Sequence, residues 1–154
     1  LERKANSKMK LAIGSDHAGY LLKEKIKEFL KKEDIQFTDY GTFKEESTDY
    51  PEYAYKVGNS INNHEADMGV LICGTGLGMC ISANKIKGIR AALVYNEDTA
   101  QLSRQHNNSN VICFGARTME DKKVVDLLKL WLNTSFEGGR HEQRIELINK
   151  LTGL

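Results

Sequence analysis

Along the chain, short runs of apolar residues alternate with longer stretches in which apolar positions recur every three or four residues. Residues 10–14 (KLAIG) form the first run; after it Leu21, Leu22, Ile26, Phe29 and Leu30 fall on one helical face, with lysines and glutamates between them. The alternation repeats. The spacing predicts strands over 35–40, 68–72, 90–95 and 111–114, and helices over 51–61, from about 79, over 97–106, over 120–132 and from about 140. Residues 68–72 and 111–114 are apolar throughout, as in strands buried on both faces. Strands separated by helices require crossover connections, so five of them predict a parallel sheet covered on both sides: an α/β fold, a three-layer α/β/α sandwich, Rossmann-like. Ligands of such sheets sit beyond the carboxyl ends of the strands. That rule puts Ser15-Asp16-His17, Gly41-Thr42 and residues 73–78 on one functional rim.

With 154 residues, the chain suits one domain with a substantial core. Residues 9–154 are read as that domain, ending in a C-terminal helix. Residues 1–8 (LERKANSK), polar and ahead of a plausible start at Met9, are set aside as an added or disordered start. Lysine and arginine number 22 against 21 acidic residues, so there is no broad field to gather nucleic acid or an anionic membrane, and neither is expected as a partner. No apolar segment approaches the ~20 residues that span a bilayer, and no signal-peptide pattern precedes the domain, so the expected location is the cytoplasm. Three cysteines, an odd number, argue for reduced thiols rather than a disulfide framework. They form no CxxC pairs, and neither a metal nor a cofactor is expected.

The densest chemistry lies in residues 71–80, LICGTGLGMC. Glycines at 74, 76 and 78 leave the backbone open, so that successive N–H groups at the start of a helix can hold an oxyanion. Met79 stands where a dinucleotide GxGxxG motif needs glycine and where a C-x5-R phosphatase loop needs arginine, which counts against both. Cys73, between strand and cradle and near the positive end of the next helix, is either an activated thiol or a small buried hydrophobe. Cys80 and Cys113, inside a helix and a strand, read as core. Asp16 is a candidate acid–base residue or an N-cap. His106, followed by Asn107, Asn108, Ser109 and Asn110, also reads as a helix C-cap. Arg140 and Arg144, four apart at a helix start, form either a phosphate clamp or a solvated basic face.

Taken in order, these segments resemble one family, the type B ribose-5-phosphate isomerases, related to the galactose-6-phosphate isomerase subunits. The resemblance runs from Met9 to the end. It is carried by Gly14-Ser15-Asp16-His17-Ala18-Gly19, Thr48-Asp49-Tyr50-Pro51, Ile72-Cys73-Gly74-Thr75-Gly76-Leu77-Gly78, Asn84-Lys85, Gly88-Ile89-Arg90-Ala91, Gln105-His106-Asn107-Asn108, Gly115-Ala116-Arg117 and Gly138-Gly139-Arg140-His141. It implies a metal-independent aldose–ketose isomerisation of a phosphorylated sugar, with Cys73 moving a proton between C1 and C2. The enediolate would rest on the amides of the Gly74, Gly76 and Gly78 loop. Thr75 would contact the sugar oxygens, and Asp16 with His106 would assist ring opening. His17, Asn107, Arg117, Arg140 and Arg144 would bind substrate, the histidine and arginines around its phosphate. The Gln-His-Asn turn and the Gly-Gly-Arg-His segment favour ribose 5-phosphate over galactose 6-phosphate. A six-carbon substrate such as allose 6-phosphate stays open, as does a non-catalytic sugar-phosphate-binding module.

One expectation follows from topology. Cys73 ends the third strand at its carboxyl end, whereas a helix over 97–106 carries His106 back to the amino end of the fifth strand. Such a helix rises roughly 15 Å, about the height of the sheet. If both residues act on one sugar, His106 must come from a second chain, and a two-fold homodimer would hold two shared sites.

Overall fold

The computed structural model describes residues 9–154, so the expectation for residues 1–8 lies outside the described residues. Among those residues five strands, β1 (Lys10–Ser15), β2 (Gln36–Asp39), β3 (Met68–Cys73), β4 (Ala91–Leu93) and β5 (Val111–Gly115), alternate with six helices. The helices are α1 (Tyr20–Lys32), α2 (Tyr50–Asn62), α3 (Leu77–Ala83), α4 (Glu97–Gln105), α5 (Asp121–Leu132) and α6 (Arg140–Thr152). All strand pairs are parallel, in the order β2-β1-β3-β5-β4. The predicted three-layer α/β/α sandwich is present. Within it β5 lies inside and β4 forms an edge, so the last two strands are exchanged relative to sequence order. No helix among the described residues is long and apolar enough to cross a membrane.

Side chains in a strand alternate faces, so each buried strand feeds two cores. Ile13, Val70, Ile72, Ile112 and Phe114 pack with Leu22, Ile26 and Leu30 of α1 and with Leu127, Leu128 and Trp131 of α5. Their neighbours Ala12, Leu71, Cys73, Val111 and Cys113 face the other way, against Tyr53, Ala54 and Val57 of α2 and Met79 and Ala83 of α3. Trp131 is fully buried, and its indole N–H donates to Ser109 Oγ at 2.8 Å, so the largest core side chain leaves no orphan donor. The only fully buried lysine among the described residues is Lys23 of α1. It is tolerated because its ammonium lies 2.5 Å from Asp39 at the end of β2, where Lys27 joins it at 2.9 Å. Burial alone would raise the Asp39 pKa; the two ammonium groups and the N–H of Gly41 outweigh it and hold the carboxyl below its usual range.

The boundaries shift for local reasons. The helix expected from about 79 begins at Leu77, because Gly76, at φ 80°, is its N-cap. The strand expected over 90–95 is only Ala91–Leu93. Asn96 and Thr99 then form a reciprocal capping box that starts α4. At the free edge of β4, the Asn84 side chain accepts from the N–H of Ala91 at 2.8 Å and donates to its carbonyl at 2.9 Å. A single amide thus satisfies both outward backbone groups of that residue.

Candidate functional site

Strand order reverses between β1 and β3, since β1 leads outward to β2 on one side and across to β3 on the other. The carboxyl ends of these two strands flank the crevice of an open parallel sheet. Ser15 pairs with Ile72 there and the Asp16 N–H donates to the Ile72 carbonyl at 3.2 Å, so the Asp16-His17 segment leaves β1 alongside the end of β3. The start of α1 approaches β3 closely: a Cβ on Gly19 would lie 2.6 Å from the Ile72 carbonyl oxygen, so only glycine fits. Asp16 is buried, and one of its carboxylate oxygens accepts from the Gly19 N–H at 3.1 Å. It thus holds the turn ahead of α1, whose N-cap is Gly19 without a side-chain cap. The predicted capping role is met one turn early. Nδ1 of His17 lies 3.1 Å from the Thr48 N–H. When it accepts that hydrogen bond, Nε2 carries the ring proton and is free to donate outward.

The exchanged strand order brings the segment after β5 against the glycine loop. The Ala116 N–H donates to the Cys73 carbonyl and the Arg117 N–H to the Gly74 carbonyl, both at 2.9 Å. The exposed Arg117 guanidinium lies over Gly74, 3.4 Å from where a Cβ would stand. Gly76 and Gly78 have a packing reason that the sequence did not disclose. A Cβ on Gly76 would come within 2.6 Å of Leu93 and 2.9 Å of the Phe114 carbonyl carbon, and one on Gly78 within 2.5 Å of the Tyr50 ring. Thr75, between them, is exposed, and its Oγ1 accepts from the Leu77 N–H at 3.2 Å.

All three thiols are free, and Cys73 is buried at the crevice. Cys113 is fully buried in β5, as expected for a core residue, while Cys80 is half-buried in α3. A hydrogen bond with Cys113 lowers the Cys80 pKa to about 7. The same contact, with burial, pushes Cys113 up.

The remaining predicted residues collect at the opposite rim. His106 is the C-cap of α4 and Asn107 follows it, exposed. The Glu137 N–H donates to the Gln105 carbonyl at 3.0 Å, which ties the loop before α6 to this helix end. Arg140 and Arg144, on the first turns of α6, are exposed and form no ion pair among the described residues. The structure thus assembles two groups: Asp16, His17, Cys73, Gly74, Thr75, Gly76, Gly78 and Arg117 at one rim, and His106, Asn107, Arg140 and Arg144 at the other. A helix of the length of α4 separates them by about 13 Å along the sheet. Sequence reading named Thr48 and His141 within the segments of the resemblance but gave them no role: Thr48 orients His17, and the His141 ring stacks on His106 with centroids 4.2 Å apart. Neither has a spacing signal, because both partners are distant in the chain.

Residues 11–148 match the family model described as Ribose/Galactose Isomerase. The ribose-5-phosphate isomerase B of Escherichia coli is 44% identical over 142 residues, covering 92% of this chain and 95% of that protein. The ribose-5-phosphate isomerase B structure of Clostridium thermocellum superposes with a TM-score of 0.93 at 44% identity, covering 94% of this chain and 98% of that one. That of Mycoplasma genitalium, with bound ribulose-5-phosphate, gives 0.89 at 41% identity, covering 95% and 97%. With the family model spanning nearly the whole domain and the fold reproduced strand for helix, the chain belongs to the ribose/galactose isomerase family.

Proposed function

We propose that this protein interconverts ribose 5-phosphate and ribulose 5-phosphate without a metal, through an enediolate, with Cys73 as the base. The observation that carries this reading is the position of Cys73: a thiol at the strand-order reversal, flanked by Asp16 and by the glycine loop on which Arg117 lies. The names of the relatives and the ribulose-5-phosphate bound to the Mycoplasma genitalium enzyme support the substrate. In the opened sugar, the Cys73 thiolate removes the proton from C2 and returns it to C1, while a hydroxyl proton passes between the two oxygens beside Thr75. The charge that develops on oxygen is held by N–H groups of the 74–78 loop. Asp16 and His106 assist ring opening. The phosphate is held by His17 and Arg117 from one rim and Arg140 and Arg144 from the other, with Asn107 beside them.

Because the two groups sit on opposite rims, this mechanism requires two chains. In a two-fold homodimer the amino-rim group of one protomer completes the carboxyl-rim group of its partner. Exposed apolar side chains supply a surface for that contact: Leu77 and Ile81 on α3, and Leu147, Ile148 and Leu151 on α6. The cytoplasm, where thiols stay reduced, suits a thiol base. A second reading, isomerisation of a six-carbon sugar phosphate, is kept by the family description, which covers both ribose and galactose. The test is to incubate the protein with ribose 5-phosphate, allose 6-phosphate or galactose 6-phosphate in EDTA, following ketose and free phosphate. Ribulose 5-phosphate without phosphate release is the expected result. Ketose formation only from a hexose phosphate would install the second reading, and released phosphate or no reaction would remove the isomerase reading.

A further inference from the structure

The loop from α5 to α6 brings together three side chains that do not yet have a common task. The rings of His106 and His141 stack 11° from parallel, and a Glu137 carboxylate oxygen lies 3.9 Å from His106 Nε2. One donor atom from each of the three lies within 4.8 Å of the others. Among the described residues neither ring has a hydrogen-bond partner, so their nitrogens are uncommitted. The backbone beneath them is braced by the Glu137-to-Gln105 hydrogen bond and by the His141 N–H, which donates to the Gly138 carbonyl at 3.2 Å. Gly138 and Gly139, both at positive φ, form the turn that puts Glu137 and His141 side by side.

Two imidazoles, the partly exposed His106 and the buried His141, with the half-exposed Glu137 carboxylate make a donor set for a divalent ion of the zinc, cobalt or nickel kind, which takes nitrogen and oxygen ligands and keeps open positions for water. We propose that His106, Glu137 and His141 form a binding site for such an ion. Ligand bonds of about 2.1 Å place neighbouring donor atoms roughly 3.0–3.4 Å apart, so from a span of up to 4.8 Å the set has to close by up to about 1.4–1.8 Å. Because the nitrogen lone pairs lie in the ring planes, binding requires the two rings to tilt out of their near-parallel stack toward one point, with the half-exposed Glu137 side chain moving to meet them. Arg140 and Arg144 on the same turns repel a dication, which keeps the affinity modest. An ion held there takes His106 out of ring opening, so the site is inhibitory; that consequence rests on the isomerase reading, whereas the binding does not.

The test is a titration of the chelator-treated full chain with Co²⁺, read by calorimetry and visible absorption, beside Glu137→Gln and His141→Gln proteins. One ion per chain is expected, with ligand-field bands and no thiolate charge-transfer band. Affinity should fall at least about tenfold in Glu137→Gln and further in His141→Gln. Metal-free turnover of Glu137→Gln should match the parent, and inhibition of the parent by Zn²⁺ should be reversed by EDTA. No binding by the parent, undiminished binding by Glu137→Gln, or a thiolate band placing the ion on cysteine would each overturn the site. Binding as described by a protein that turns over no sugar phosphate would leave the site standing and remove the isomerase reading instead.

Discussion

A thiol that takes a proton from carbon needs a fixed position and a place for the charge it creates. Cys73 has the first through its carbonyl, held by Ala116, and through a strand end buried on both faces. In the proposed mechanism the loop amides supply the second. Cys73→Ala should therefore lower turnover on the order of 10²–10⁴-fold while leaving circular dichroism and phosphate binding close to the parent. Activity within about threefold of the parent would remove Cys73 from the chemistry. The residue types were legible in the sequence because strand, thiol and glycines are contiguous there. The packing reasons for Gly76 and Gly78 were not, since Leu93, Phe114 and Tyr50 come from elsewhere in the chain. Nor was the pairing of Cys80 with Cys113, which depends on α3 lying over β5.

Among the elements, periodicity identified every strand and helix named above, and the errors were confined to ends where a cap overrides an apolar pattern, as at Gly76 and Asn96. Strand order was not readable, because each strand is apolar enough to occupy either position and only three-dimensional pairing decides. The exchange of β4 and β5 is what delivers Arg117 to Gly74. Two predictions belong at this scale. Arg144→Ala strips a cation from the start of α6 and should raise KM strongly, with affinity for inorganic phosphate falling in parallel. An unchanged KM would return the pair to a solvated face. Asp39→Asn should destabilise the fold by about 3–5 kcal/mol at neutral pH in urea titration, because it leaves the buried Lys23 ammonium short of its counter-charge between α1 and β2. The folded Asp39 pKa lies below its ordinary value of 3.8, so its contribution is present above that pH and is lost as pH falls through the folded value. The acid dependence of melting below about pH 4 should be shallower in Asp39→Asn than in the parent; equal slopes would contradict this.

For the whole molecule, the proposed site, drawn from both rims, sets the number of chains required. Cys73→Ala and His106→Ala proteins, each nearly inactive, should regain about a quarter of parental activity when unfolded and refolded together, since half the dimers are mixed and each mixed dimer has one intact site of two. Absence of recovery, with mixed dimers shown to form by mass spectrometry, would exclude a shared site. How the copies join is also constrained by Asn84. A parallel sheet that ends in an unpaired strand invites another strand to join it, and then another, without limit. At Ala91 that invitation is already answered by a side chain that imitates a peptide group. The edge is closed at Ala91, and the proposed dimer is left to form through its helices. Asn84→Ala reopens the edge: light scattering on mild warming should then rise with protein concentration where the parent stays clear, the signature of a self-limiting assembly turned into an open-ended one.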